Sequence, residues 1–419
     1  MSVKIDSLNK GIGAIAAPVE AAEAARLGWS LLGEDLSLPA AVLYREKLEH
    51  NLEWMRRFIA EYGVKLAPHG KTSMAPRLFQ MQIEAGAWAI TVATAQQALV
   101  AHEFGIKRVL MANELVGKAN FAIVSRLLED AGFEFYCLVD SAVLVELLAD
   151  YFGAKGQRLN VLVELGVEGG RAGVRDEAQL RAVLDAIERH KDAIALRGVE
   201  VYEGVLKDEA AIRVFLRRAC EVAAGLIAEG AFVGRPILTG AGSAWFDVVA
   251  EEFTATSVAA QVEIVLRPGC YLTHDVGSYR AAQLRMEKSN PVACKLQPGL
   301  ETALHIWAYV QSVPEPGRAI VGMGRRDAAF DSGLPEPALF YRPGAGSDQE
   351  APVTAPAHWV VSKLMDQHAF LEVQVGDDVR VGDMVGFDIC HPCLTFDKWR
   401  VIPVVDSQFR VVDLVETFF

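Results

Sequence analysis

The chain has 419 residues, 52% of them hydrophobic and 23% charged, the balance of a globular protein long enough for two buried cores. Forty-one Lys and Arg against 54 Asp and Glu leave a net charge of −13 without any basic block, which argues against nucleic acid or an anionic membrane as partner. No apolar run approaches the roughly 20 residues of a membrane span, no export signal opens the chain, and six scattered cysteines form no disulfide framework; reduced thiols in a cytoplasm are expected.

Residues 1–35 form a segment with some helical pattern at Pro18–Leu32, able to pack on either domain. Residues 36–275 then alternate short β-rich runs with amphipathic stretches. The runs are Lys65–Ala67, Ala89–Ala93, Arg108–Ala112, Glu134–Val139, Leu159–Glu164, Leu196–Tyr202, Pro236–Thr239 and Val262–Leu266. Between them, Phe121–Ala131, Ala142–Tyr151, Ala178–His190 and Ala210–Ala228 repeat apolar residues at helical spacing. Strands this apolar are covered on both faces, so they belong to a parallel sheet. Eight such units predict an α/β fold, a closed (β/α)8 TIM-type barrel. Past Pro268 the helical periodicity fades. Residues 276–419 read as a smaller β domain, with strands in Ala303–Val313, Arg318–Val321, His358–Leu364, Ala369–Val373, Asp383–Ile389 and Arg400–Val405. The Gly/Pro/Ser-rich stretch 342–356 reads as a surface loop.

Barrel enzymes carry their reactive groups at the C-terminal strand ends. The first strand runs into Pro68-His69-Gly70-Lys71-Thr72, and the seventh into Thr239-Gly240-Ala241-Gly242-Ser243. A glycine turn before a helix start offers free amides to an anion, and barrels commonly bind phosphate at this position; the other reading is a tight turn without a ligand. Lys71 is either a surface residue or an amine inside the barrel mouth, able to form a Schiff base. With phosphate in the glycine turn, an aldehyde on Lys71 and Arg171 near the ring, the pattern suggests pyridoxal phosphate. In His391-Pro392-Cys393, residues i and i+2 of an extended chain would project to one side, and imidazole with thiolate suits zinc. Taken alone, the pair reads first as two half-buried residues. The other histidines read as surface or packing residues.

Together these pieces resemble the D-serine dehydratase / D-threonine aldolase family of fold-type III pyridoxal-phosphate enzymes. The resemblance rests on Pro68-His69-Gly70-Lys71-Thr72, Glu164 through Arg171 to Gly173, the Gly240–Ser243 turn, Arg267-Pro268-Gly269-Cys270-Tyr271, the stretch from Gly317–Val321 to Asp331-Ser332-Gly333, and His391-Pro392-Cys393. It implies an alanine racemase-like N-terminal barrel, a C-terminal β domain and a homodimer. It implies that Lys71 links to the cofactor's aldehyde, with His69 beside it. Arg171 would meet the ring's phenolic oxygen, and Tyr202 would join the cofactor-binding set at the end of strand six. Gly240, Ala241, Gly242 and Ser243 would bind phosphate, with Tyr271 nearby. His391 and Cys393 would hold the metal. In this family HxC goes with zinc-dependent dehydratases and HxD with aldolases. This chain departs from the family pattern at Ser73-Met74, at Glu164 and at Tyr202-Glu203-Gly204, and there it is similar to a bacterial subgroup known only as amino-acid deaminases.

The resemblance implies a pyridoxal-phosphate- and zinc-dependent dehydratase that removes water from a D-3-hydroxy amino acid such as D-serine, giving pyruvate and ammonia. The rival is retro-aldol cleavage to glycine and an aldehyde; a non-catalytic cofactor-binding protein is the second alternative. A racemase lacks an identifiable second base, and a metal-only hydrolase lacks a ligand cluster at the strand ends.

Overall fold

The computed structural model describes residues 4–344 and 351–419. The chain enters on strand β1 (Ala40–Tyr44) and helix α1 (Arg45–Tyr62), then winds through eight parallel strands: β2 (Lys65–Leu66), β3 (Ile90–Val92), β4 (Arg108–Glu114), β5 (Glu134–Val139), β6 (Leu159–Leu165), β7 (Ile194–Val201), β8 (Ile237–Gly240) and β9 (Glu263–Leu266). Helices α2 (Pro76–Glu84), α3 (Ala95–Glu103), α4 (Lys118–Leu127), α5 (Ala142–Gly153), α6 (Glu177–Arg189), α7 (Glu209–Ala228) and α8 (Phe246–Thr254) alternate with them. Thr94, Asp176 and Asp208 start α3, α6 and α7 by accepting the amides of Gln97, Gln179 and Ala211. The sheet runs β2-β9-β8-β7-β6-β5-β4-β3 and closes where the Trp88 amide donates to Leu66 O (2.7 Å) and the Thr91 amide to Pro68 O (2.9 Å). The eight-unit barrel expected from the sequence is thus present.

The strands are apolar on both faces because each face has its own core. Ala67, Ala89, Leu110, Tyr136, Leu138, Leu162, Ile237 and Val265 fill the barrel interior, while Phe135, Cys137, Val139, Val161 and Val163 pack outward on the helices. At roughly 1.5–3 kcal/mol per large apolar side chain, both faces favour burial.

After α9 (Ser278–Ser289), strands β10 (Leu304–Glu315), β11 (Arg318–Val321), β12 (Glu336–Tyr341), β13 (Val353–Thr354), β14 (Val360–Leu364), β15 (Ala369–Glu372), β16 (Met384–Asp388), β17 (Val401–Val405) and β18 (Val411–Glu416), with the one-turn helix α10 (Cys393–Phe396), build the second domain. Its sheet runs β13-β12-β16-β10-β1-β17-β18, with β11 pairing β10 and β15, and β14 pairing β15.

Both expected boundaries of the 36–275 barrel move. Strand β1 lies in the second sheet, antiparallel to β10 (Val42 opposite His305) and parallel to β17 (Leu43 opposite Val404). Only these long-range partners reveal its place, since its five buried residues carry no sign of which sheet they join. Helix α9 and the turn after it pack on the barrel: Arg285 pairs with Asp247 at 2.7 Å, Asn290 Nδ2 donates to Tyr62 OH, and Trp54 Nε1 donates to Leu296 O. Of the first 35 residues, Ile5, Ile12 and Leu31 are buried against Val42, Trp307 and Val411, so the described part of this segment packs on the β domain. Its helical part is the 3-10 turn Ala21–Arg26. Part of the loop expected at 342–356 (345–350) lies outside the described residues; its later part includes β13, which pairs with β12. No described helix is long and apolar enough to cross a membrane.

Candidate active site

The C-terminal strand ends open into a cavity of about 320 Å³, closed on one side by the loop after β16. His69, Lys71, Arg171, Tyr202, Ala241, Gly242, Ser243, His391 and Cys393 all line it, joined by Thr72, Asn113, Arg267, Cys270 and Tyr279. Two expected residues stand back from it. Gly240 is the buried last residue of β8, and Tyr271 is buried behind the wall, where its hydroxyl accepts from Gln82 Nε2 at 3.2 Å. Burial pushes the Tyr271 phenol well above its usual range.

Lys71 lies in the tight turn Gly70–Thr72. A Cβ at Gly70 would stand 2.7 Å from Ile90 Cγ2 and 2.8 Å from the Phe79 ring, so only glycine lets this turn lie against the barrel. The Lys71 amine has no hydrogen-bond or ion-pair partner among the described residues. Burial, ahead of the Arg171 and Arg267 charges, pulls it below the usual lysine range, against the opposite pull of Cys393 and Cys270. His69 beside it is held neutral, first by burial and then by Lys71, Arg267 and Arg171, and its buried Nδ1 has no partner. The Arg171 guanidinium stacks over the Tyr202 ring at 4.8 Å.

Beneath the mouth lies a carboxylate layer. Buried Arg267 forms an ion pair with Glu200 and donates to Thr239 Oγ1 at 2.8 Å. Burial, Glu200 and Glu114 push the Glu164 carboxyl far up, so it holds its proton at neutral pH.

The glycine turn differs from its expected use. The Ala241 and Gly242 amides donate to the two carboxylate oxygens of Glu203, at 3.0 and 2.7 Å. The Gly269 and Cys270 amides instead converge on Ser243 Oγ, at 3.2 and 3.1 Å, on the cavity wall. That convergence of backbone amides and a hydroxyl suits a phosphate.

On the opposite wall, Pro392 caps α10 with helical angles and Cys393 is its first residue, so His391 and Cys393 share a turn and not the extended chain expected from the sequence. Thr395 Oγ1 donates to His391 O (2.9 Å), and the Ala329 amide donates to Thr395 Oγ1 (3.1 Å). His391 Nδ1 donates to Asp331 Oδ2 at 2.7 Å, which leaves Nε2 toward the Cys393 thiol, able to ligate a metal once its proton is displaced. Cys393, then Asp331, raise the imidazole to about 9. The Cys270 thiol, His391 and Thr72 hold the Cys393 thiol far below its usual range, with Cys270 Sγ at 3.7 Å and Thr72 Oγ1 at 3.4 Å. A ready thiolate and a buttressed imidazole are a soft donor set that fits zinc. Among the described residues no group of three or more His, Cys, Asp or Glu is arranged around a metal, so these two would leave coordination positions open.

Sequence reasoning missed Glu203, Cys270 and Tyr279. Cys270 stands within the quoted RPGCY stretch, yet nothing local shows that it meets Cys393, 123 residues away. The Tyr279 hydroxyl, bonded to the Cys270 thiol, comes from α9, which the expected boundary assigned to the other domain.

A family model of the alanine racemase N-terminal domain matches residues 43–271, and one of the serine dehydratase domain matches residues 303–405. A D-threonine aldolase from Arthrobacter sp. is 29% identical over 315 residues, covering 73% of this chain and 76% of its own. The D-threo-3-hydroxyaspartate dehydratase of Delftia sp. HT23 is 31% identical over 173 residues, 40% of this chain and 44% of its own. The crystal structure of D-threonine aldolase from Filomicrobium marinum superposes with a TM-score of 0.75 at 25% identity, over 94% of this chain and 98% of that one. A Cys-to-Ala mutant of a D-threo-3-hydroxyaspartate dehydratase, solved in the metal-free form, gives a TM-score of 0.69 at 20% identity, over 93% of this chain and 99% of its own. An alanine racemase-type barrel that presents a partnerless lysine at its mouth, joined to a serine dehydratase-type domain, places this chain in the fold-type III family of pyridoxal-phosphate enzymes.

Proposed function

We propose that the protein is a zinc-dependent dehydratase that removes water from a small D-3-hydroxy amino acid, D-serine being the first candidate, to give a 2-oxo acid and ammonia. The observation that carries this reading is that Lys71 and the His391–Cys393 pair face one cavity from two domains. Lys71 would bind the cofactor's aldehyde, Arg171 and Tyr202 would flank its ring, and Ser243 with the Gly269 and Cys270 amides would take its phosphate. His391 and Cys393 would hold zinc, and the metal-free form of the dehydratase Cys-to-Ala mutant supports a cysteine ligand. When bound, pyridoxal phosphate supplies an electron sink for the α-carbon and zinc a Lewis acid for the β-hydroxyl.

The chain's own residues supply the rest. The Lys71 amine, desolvated and partnerless, is a base for the substrate's Cα proton. Asp331 holds His391 so that Nε2, and not Nδ1, is free to ligate. Tyr202 and Tyr279 wall the cavity and limit water. We take the working assembly to be a homodimer; exposed Phe330 and Leu394, next in sequence to Asp331 and Cys393, support an apolar contact at the rim.

The aldolase relatives favour a second reading, retro-aldol cleavage with the proton leaving the β-hydroxyl. One experiment tests both. Purified protein is examined for a cofactor absorption band that borohydride fixes onto Lys71, and is then given D-serine and D-threonine. Release of a keto acid supports the dehydratase, glycine with an aldehyde supports the aldolase, and no band after supplying pyridoxal phosphate sinks both.

A further inference from the structure

Glu203 follows Tyr202 at the end of β7 and is completely buried. Its two oxygens are spent on two successive amides of the neighbouring strand end, those of Ala241 and Gly242. Those amides curve around one group because Ala241 has φ +89°, a region an alanine adopts only where its surroundings enforce it. A buried carboxyl group accepting both amides, one on each oxygen, is such an enforcement, since it holds two successive amides on one rigid plane. Gly242 completes the fit: a Cβ there would come within 3.1 Å of the Tyr202 ring and 3.5 Å of Glu203 Oε1. The next residue is Ser243, whose hydroxyl gathers the Gly269 and Cys270 amides. A chain of contacts thus runs from Glu203 through a strained turn to the three groups facing the cavity.

We propose that Glu203 is a positioning residue for the cofactor's phosphate: its two oxygens fix the 241–242 turn, and that turn sets Ser243 against the Gly269 and Cys270 amides. This rests on the cofactor assignment made above. It separates two jobs that the glycine turn first suggests as one, because two of its amides serve Glu203 and the phosphate is left to the groups beyond them.

The test compares pyridoxal 5′-phosphate with pyridoxal, which has the same aldehyde and ring but no phosphate. Full-length wild type, Glu203→Gln and Glu203→Ala, stripped of cofactor and checked for folding by circular dichroism, are titrated with each compound, and uptake is followed by absorbance. Expected is a loss of about 10–100-fold in affinity for pyridoxal 5′-phosphate in Glu203→Ala, the range seen when a group that orients a ligand-binding residue is removed. Glu203→Gln, which keeps one acceptor, should lose less, and pyridoxal affinity should stay within about twofold. Equal weakening for both compounds, no weakening, or tighter binding of the phosphate compound overturns the role of Glu203. If Glu203→Ala fails to fold, Glu203→Gln decides alone. Wild type that takes up neither compound overturns the cofactor assignment itself.

Discussion

On the barrel wall of the cavity, Lys71, Arg171 and Arg267 follow three different strands and are spaced by a closed sheet; on the β-domain wall, His391 and Cys393 share one short turn and lean on Asp331 from another loop. The first wall is preorganised by the fold itself, through barrel closure and the amide contacts of Glu203 and Ser243. The second is preorganised chiefly by side chains: Asp331 on the His391 ring, Thr395 on its carbonyl, and Thr72 and Cys270 on Cys393. Such a division separates cofactor anchoring from leaving-group chemistry everywhere but at Cys393, where Thr72 and Cys270 reach across from the barrel.

The sharpest way to break this comparison is to remove the anchor. Lys71→Ala should abolish covalent cofactor attachment and lower turnover by about 10⁴-fold, the upper range for a lost acid–base group. Its zinc content by elemental analysis should stay at the wild-type level. A parallel fall in zinc would show that the walls are not separable.

Removing the other wall should give the reverse pattern. His391→Ala should keep the absorption band and lose about 10²-fold or more in elimination, as expected for a lost Lewis acid. Full activity of this variant in chelator would end the metal role. A milder cut at the buttress sharpens the point: Asp331→Asn should weaken zinc binding about 10–100-fold, read by competition with a chromophoric chelator, with cofactor uptake unchanged.

An effect on stability and not on activity lies at the seam between the domains. Burial pulls buried His274 down to about 4 from the ordinary 6.5. The folded chain therefore binds fewer protons than the unfolded chain in that window, and stability is lost as pH falls through it. Relative to His274→Asn, wild type should lose about 3 kcal/mol more between pH 7 and pH 4, at roughly 1.4 kcal/mol per pH unit below 6.5. Parallel denaturation curves at both pH values would show that His274 does not contribute.

Much of the barrel was legible because its units are local. Each strand is a short apolar run, several helices show their own period, three of them with a side-chain cap, and Lys71 stands at the end of the first such run. The β domain was less so. Strands β12 and β18 went unread because their partly exposed residues leave only a broken apolar pattern. Strand β1 went unread because its partners lie some 260 and 360 residues on, and pairing register is invisible to a sequence window.

What the sequence by itself determined is the set of pieces: eight strand–helix units, a lysine after the first strand, a glycine turn after the seventh, and an HxC in the β-rich half. Local spacing suffices for these, because backbone periodicity acts over a few residues. Only the tertiary structure decided which pieces meet. It gave the glycine-turn amides to Glu203, brought Cys270 to 3.7 Å from Cys393, and put Asp331 on His391. Each of these is a contact between elements far apart in the chain. Such contacts are settled when the cores close and most buried polar groups find partners there.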